Sequence, residues 1–421
     1  MMTRSRAAFI FIFITVLLDM VSFGVIIPVF PQLILRLQGG DMAGAAAIFG
    51  ILGTAFAVMQ VIFAPVQGAL SDRYGRRPVI LLSNLGLGVD YVVMAIAPTI
   101  PILFIGRLIS GATSASFSIS GAYAASFSIS GAYVADVTPP EKRAARFGML
   151  GVAFGIGFIV GPAIGGLLGA IDLRAPFWFS AVLSFANFLY GLLILPESLP
   201  PERRGPFRLR AANPIGAMRF LGLRPVLFTL GAVAFFGNLG HDALPNTFGL
   251  YATQRFNFDE RAIGLSLAIV GVSSLIVQGF VVGRAVAALG EYRALLAGLG
   301  LGIAAELLLG LAPTSALFLI GLPIFSFFGL TGASLQSLAT REVAANEQGQ
   351  LQGALSSLRS ICTIITPGLY TGTFALFVGP LAGLGVPGAP FLLAAILLAS
   401  AFAVLARSAR ALRSPAVTRP S

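Results

Sequence analysis

Gly68-Ala-Leu-Ser-Asp-Arg-Tyr-Gly-Arg-Arg-Pro78 is a basic, glycine-punctuated turn set between two long apolar runs. A bilayer imposes this design, because about 20 consecutive apolar residues cross it as a helix. A short arginine-rich connection between two such helices stays on the cytoplasmic side. Outward from the turn the same alternation continues. Twelve runs are predicted to span, near 8–36, 45–70, 79–97, 101–137, 147–170, 175–196, 225–253, 262–284, 294–312, 315–340, 351–378 and 388–407. With 57% hydrophobic and 10% charged residues in 421, the chain is more apolar than soluble proteins are. The runs are continuous instead of alternating, which argues against a β-barrel. The expectation is an all-α membrane protein with twelve transmembrane helices.

A net charge of +11 raises the question of nucleic acid, and the placement of the basic residues answers it. Of 27 Lys and Arg, only Arg36, Arg174, Arg255 and Arg261 fall in connections on the far side, and Arg107 and Arg359 fall inside spans. The other 21 fall on the cytoplasmic side, among them Arg73, Arg76, Arg77, Lys142, Arg143 and Arg146, the 203–224 cluster and the tail from Arg407. This is the positive-inside bias, so the partner is a lipid bilayer and both termini are expected in the cytoplasm. Thr3-Arg-Ser-Arg6 could open a signal peptide, but the apolar run passes residue 28, carries Asp19 and offers no small-residue cleavage site, so it reads as a retained first helix. The single Cys362 excludes an intrachain disulfide and reads as packing.

The one long polar stretch, Glu197–Arg224, divides the chain into a six-helix bundle over 1–196, a cytoplasmic linker over 197–224 and a second six-helix bundle over 225–421. The halves echo one another. Gly68 and Gly75 recur as Gly283 and Gly290, and Leu85-Gly-Leu-Gly88 leading to Ala97-Pro-Thr99 recurs as Leu299-Gly-Leu-Gly302 leading to Ala312-Pro-Thr314. Repeats of this kind place a binding site at their interface in many transporters. The comparison also exposes an insertion: Ala115–Ala124 is copied almost verbatim as Ala125–Val134. Ten residues add about 15 Å of helix and turn it by roughly 80°. The fourth helix is therefore expected to break near Gly121 to Gly131 or to protrude, with Arg107 kept at its depth.

Charges inside a membrane are costly and are kept for pairing, ion movement or substrate. Here they are Asp19, Asp90, Arg107, Asp242 beside His241, Glu306 and Arg359. A carboxyl in a partly dry cavity can take up and release a proton near neutral pH, and an approaching arginine can reverse that uptake. Gly157-x-x-x-Gly161-Pro162-x-x-Gly165-Gly166 provides small residues for close helix contact. No metal cluster, nucleophile triad or phosphate loop points to an enzyme.

Gly68, Asp72, Arg73, Gly75, Arg76 and Arg77 resemble the loop between helices two and three of major facilitator transporters, and the chain end to end is similar to their tetracycline-efflux branch. The resemblance implies the major facilitator fold, a bacterial inner-membrane location and exchange of protons for a drug-like solute, tetracycline with a bound divalent cation such as Mg2+, with no resident cofactor. It implies proton coupling at Asp19, at Asp90 of the Asp90-Tyr91 pair and at Arg107, and an antiporter signature at Gly157, Gly161, Pro162, Gly165 and Gly166. Gln348-Gly-Gln-Leu-Gln-Gly353 is also similar to the branch. Two positions depart from it. The branch's helix-eight histidine falls on Ser274, with Gln278 retained one turn later, and its helix-nine aspartate falls on Gly302, one turn before Glu306. Glu306 is expected to stand in for that carboxyl, and Ser274, Gln278 and His241 are candidates for touching the solute, His241 also reading as a structural histidine at a helix end. Asp72, Arg73 and Arg77 are expected to latch the cytoplasmic face. A multidrug or metabolite exporter, and a non-transporting membrane sensor or scaffold, stay open as alternatives.

Overall fold

The computed structural model describes residues 2–114, 129–205, 219–222 and 224–408. The described chain is built of helices: α1 (Met2–Ile26), α2 (Phe30–Leu37), α3 (Met42–Tyr74), α4 (Arg76–Ile96), α5 (Ile100–Thr113), α6 (Ile129–Val137), α7 (Pro140–Gly169) and α8 (Ala175–Ile194). After the linker come α9 (Pro225–His241), α10 (Ala243–Phe256), α11 (Glu260–Ile276), α12 (Val282–Leu289), α13 (Glu291–Leu311), α14 (Ser315–Ser326), α15 (Gly329–Arg341), α16 (Gln348–Val378) and α17 (Ala389–Arg407). With no water in the bilayer core, the helix is the form that satisfies its own backbone.

Ten of the described segments are long and apolar enough to cross a membrane. The chain is a multi-pass membrane protein. Two of the twelve expected spans differ. The fourth begins as α5, and residues 115–128, which hold the first copy of the duplicated decapeptide and part of the second, lie outside the described residues. The expectation of a break or protrusion there stays with the sequence. The seventh, expected as one helix over 225–253, is divided at Asp242 into α9 and α10. Pro245 explains the division, since it has no N–H for the carbonyl of His241, one turn earlier.

The contacts sort the chain into two compact units. The first holds Met1–Ala211 with Ala252–Gly271, and the second Ala212–Tyr251 with Val272–Ser421. Residues 252–271 join the first unit because α11 lies backbone to backbone on α7, where a methyl added at Gly264 would overlap the carbonyl of Pro162. Gln32 Nε2 also donates to Thr253 Oγ1 at 2.5 Å. Within the first unit α1 packs along α7 and α4 along α8 over a core that includes Ile12, Met20, Ile80, Leu150 and Phe177. Within the second, Leu227, Leu230, Leu295, Leu299, Leu351 and Leu398 gather between α9, α13, α16 and α17.

The internal repeat survives in backbone geometry. Gly75 and Gly290 both join consecutive helices with positive φ, 107° and 75°, a region that favours glycine. The two helices that follow them, α4 and α13, end alike, at Ala97 with φ −57° and ψ 118° and at Ala312 with φ −55° and ψ 118°.

Candidate functional site

A cavity in the first unit is walled by Asp19 and Phe23 from α1, Phe56 from α3, Tyr91 from α4, and Arg107, Ser110 and Ser114 around α5. Asp90 stands beside it. Its carboxylate pairs with the Arg107 guanidinium, and both residues are buried. Gly106 permits this approach, because a methyl there would come within 2.7 Å of Asp90 Oδ1. Arg107 also lies over the rings of Phe30, at 5.1 Å, and Phe56, at 5.5 Å, and its Nη2 approaches Met94 Sδ at 3.2 Å. A guanidinium held by one carboxylate and two aromatic faces is stabilised without solvent. Asp19 is 5% exposed and forms no ion pair among the described residues; its Oδ1 accepts from Asn187 Nδ2 of α8 at 2.8 Å. Of the charges singled out in the sequence, Asp19 and Arg107 line one cavity with Asp90 paired to Arg107 beside it, while Asn187, which positions Asp19, was not singled out.

The basic turn is organised around Arg76. Its guanidinium reaches Asp72 Oδ1 at 2.5 Å, Ser71 Oγ at 2.6 Å and Asp136 Oδ2 at 3.3 Å. Glu197, 121 positions away, accepts from the backbone N–H of Arg76 at 2.8 Å and of Arg77 at 3.2 Å, and from Ser198 and Leu199 at 3.0 Å each. Its carboxylate therefore caps α4, where the helix dipole is positive. Arg77 donates to the Leu192 carbonyl at 2.5 Å, and Gly205 N–H to the Asp72 carbonyl at 3.2 Å. Arg73 is exposed and lies over its neighbour Tyr74, and Gly68 has open space around it. Where a latch of Asp72, Arg73 and Arg77 was expected, the side-chain ion pairs are those of Arg76 with Asp72 and Asp136, while Arg77 gives its guanidinium to a carbonyl and its backbone N–H to Glu197. Deleting the cap with Glu197→Ala is expected to cost about 1–2 kcal/mol. Differential scanning fluorimetry of the detergent-solubilised protein checks this, through a lowered unfolding temperature.

On α7 the small residues face backbone. A methyl at Gly157 would overlap Met20, at Gly161 would come to 2.7 Å from the Gly24 Cα, at Gly165 would overlap the Val25 carbonyl, and at Gly166 would stand 2.5 Å from the Glu260 carbonyl. Pro162 packs its ring on Gly24. Backbone cannot step aside as a side chain can, so Gly165→Ala is expected to force α7 off α1 at a cost of about 1–3 kcal/mol. Gly148→Ala, where nothing lies within 4 Å, is the control. Equal thermal stability of the two variants would contradict the argument.

The second unit carries the other candidates. Glu306 is fully buried on α13, and neither carboxyl oxygen has a hydrogen-bond partner among the described residues. Nine residues past Pro98 stands Arg107, and nine past Pro313 stands Leu322, so the repeat supplies Glu306 with no arginine. Its Gly302 neighbour packs on Phe328 and Leu398. His241 ends α9 between the rings of Phe325, at 4.8 Å, and Phe328, at 4.6 Å, which suits a structural histidine. Ser274 Oγ donates to Ser326 Oγ at 3.2 Å, and Gln278 lies on a wide π turn, Val277–Val281, between α11 and α12. On the polar side, Glu347 accepts from the Ala344 N–H at 3.0 Å and from Arg224 at 2.9 Å, which together hold its carboxyl below the usual range.

Residues 12–367 match the sequence profile of the Major Facilitator Superfamily. The chain belongs to that superfamily. Within it, the chain falls in the tetracycline-efflux branch: it is 37% identical to the class C tetracycline resistance protein of Escherichia coli over 372 residues, 88% of this chain and 91% of that one. It is 36% identical to the class G protein of Vibrio anguillarum over 381 residues, 89% and 92% of the two chains. Among solved structures, the human organic anion transporter MFSD10 superposes with a TM-score of 0.67 at 26% identity, covering 95% of this chain and 99% of that one. The nucleoside transporter NupG superposes with a TM-score of 0.75 at 14% identity, over 95% and 99% of the chains, a likeness of fold alone. This major facilitator is a transporter, and its relatives are transporters.

Proposed function

We propose that the chain exports tetracycline, as its complex with a divalent cation, in exchange for protons across the bacterial inner membrane. The observation that carries the reading is the meeting of Asp19, Tyr91 and Arg107 at one cavity, with Asp90 held against Arg107. Asp19, which forms no ion pair among the described residues, takes the proton, and a cationic complex competes for the same carboxyl. Solute and proton then exclude each other, which is the condition for exchange. Arg107 keeps Asp90 occupied so that the second carboxyl does not answer to the solute in the same state. The cation arrives with its solute as cargo. Glu306, buried with no hydrogen-bond partner among the described residues, serves as the proton-responsive carboxyl of the second unit.

One observation favours a second reading, a multidrug exporter. Ser274 and Gly302 remove the imidazole and the carboxyl that the resemblance gives the tetracycline branch, and Gly302 packs on apolar side chains. A Bacillus subtilis relative, 27% identical over 374 residues, is named Multidrug resistance protein 2. A resistance profile of cells producing the chain, with and without an uncoupler, separates the two. Raised resistance to tetracycline alone, abolished by the uncoupler, is expected; raised resistance to several unrelated cationic dyes selects the second reading.

A further inference from the structure

Asp19 has a second flank. Alongside the cavity, with Thr15 one turn from Asp19 and Asn84 one turn from Leu87, α1, α4 and α8 bury five polar atoms that have no hydrogen-bond partner among the described residues: Thr15 Oγ1, both amide atoms of Asn84, Ser184 Oγ and Asn187 Oδ1. All four residues are 0 or 1% exposed. Native proteins leave few such atoms, because each orphan gives up its hydration for nothing in return. Five in one place need a common reason.

The four residues are adjacent by geometry. Asn187 Nδ2 donates to the Thr15 carbonyl at 3.1 Å and to Asp19 at 2.8 Å, so α8 and α1 are level there. Gly88 lies against Phe185, and Gly191 against Leu81, which fixes the antiparallel register of α4 on α8 and sets Asn84 level with Asn187 to about a residue. Ser180, Ser184, Asn187 and Gly191, all buried, follow one another at helical spacing and make a polar stripe on otherwise apolar α8. The stripe starts where Ser180 Oγ donates to the Ser22 carbonyl at 2.9 Å. Toward the end of the bundle that bears Arg76, the core turns apolar at Ile12, Val79, Ile80 and Leu195. The seam therefore has polar walls, one apolar stopper and Asp19 at its side. Among the described residues, the ionisable groups that share the cavity with Asp19 are Tyr91 and Arg107, the latter paired with Asp90.

We propose that this seam is a proton route, in which water ordered on the orphaned atoms of Thr15, Asn84, Ser184 and Asn187 passes protons to and from the Asp19 carboxyl while the solute reaches that carboxyl from the cavity. Buried water of this kind takes two to four polar partners, and the seam supplies five orphaned atoms. In each uptake the nearest water gives one proton to the Asp19 oxygen and takes one from the next water in line, so that an O–H bond breaks and another forms at every step, the net change is one bulk proton gained by the carboxylate, and release runs the same relay in reverse. Separate approaches let one carboxyl serve both partners of the exchange without either having to pass the other. The apolar layer at Ile12 and Ile80 keeps the route from conducting continuously.

The inference rests on the proposed role of Asp19, so the test runs three proteins side by side in everted vesicles: the parent, Asp19→Asn, and the triple variant Thr15→Val, Asn84→Leu, Ser184→Ala. In the triple variant proton-driven uptake is expected to fall at least about tenfold. Exchange of labelled for unlabelled solute without a proton gradient should stay within about twofold, and the unfolding temperature should hold or rise, since apolar groups replace unpartnered ones. Undiminished proton-driven uptake in the triple variant, with loss in Asp19→Asn, overturns the seam alone. Undiminished uptake in Asp19→Asn overturns the coupling role itself. Independently of any variant, hydroxyl-radical footprinting of the parent should label residues 14–19 and 183–188 through internal water, and a parent without label there also overturns the route.

Discussion

Everted vesicles carrying Asp19→Asn are expected to lose uphill transport by about a hundredfold or more, because a carboxamide keeps the shape of the acid and cannot carry its proton. The structure makes this the cleaner of the two carboxyl replacements. Asp19 accepts one hydrogen bond, from the Asn187 amide, and an asparagine oxygen can accept the same bond. Insertion and thermal stability should therefore stay near those of the parent. Asp90→Asn is different, since it leaves the Arg107 guanidinium, buried to 6% exposure, without its carboxylate. Removing one partner of such a pair costs about 3–5 kcal/mol, so that variant should lose both transport and stability. The measurement is solute-dependent proton release, followed with a pH-sensitive dye, alongside melting of the purified proteins. Full proton release by Asp19→Asn vesicles would remove Asp19 from the coupling.

What could be read from the sequence was what charge and backbone demand locally. Asp19, Asp90 and Arg107 stand out because any charge in an apolar run needs a reason, and the structure collects them. Gly75 and Gly290 stand out because a helix-to-helix joint without a loop needs positive φ, and both have it. The glycines of α7 announced close packing, though not that α11 would be one of the surfaces they touch. Less legible were partners supplied from far along the chain. Glu197 looked like the first residue of a polar linker, yet it caps α4 from 121 positions away. Asn187 is a neutral amide and raises no alarm in a composition, and only the helical spacing of Ser180, Ser184 and Asn187 could have marked it. Helix seven read as continuous because its hydropathy is continuous, while Pro245 and Asp242 held the information that it breaks.

That break sets up the last expectation. At Asp242 the chain leaves α9 and enters α10, and the carboxylate is held there by both terminal nitrogens of Arg359, at 3.0 and 3.1 Å, and by Thr366 Oγ1 at 3.2 Å. Asn246 Nδ2 takes the Asp242 carbonyl at 2.7 Å, one of the backbone acceptors that the broken helix leaves over. An interrupted helix within a bilayer survives only where its freed groups and its charges find partners inside the protein. Arg359→Leu is therefore expected to destabilise the protein by about 3–5 kcal/mol, through the unpaired Asp242 carboxylate more than through lost packing. Asp242→Asn should cost less, because the Arg359 side chain is 21% exposed. In the double variant Asp242→Asn, Arg359→Gln, neither charge remains and an amide pair can still bridge α10 to α16, so more than half of the single losses should be recovered. Melting temperatures and the yield of folded protein from membranes give the double-mutant cycle. Strictly additive losses, with coupling below about 0.5 kcal/mol, would mean that the ion pair is not what holds the two parts of helix seven in place.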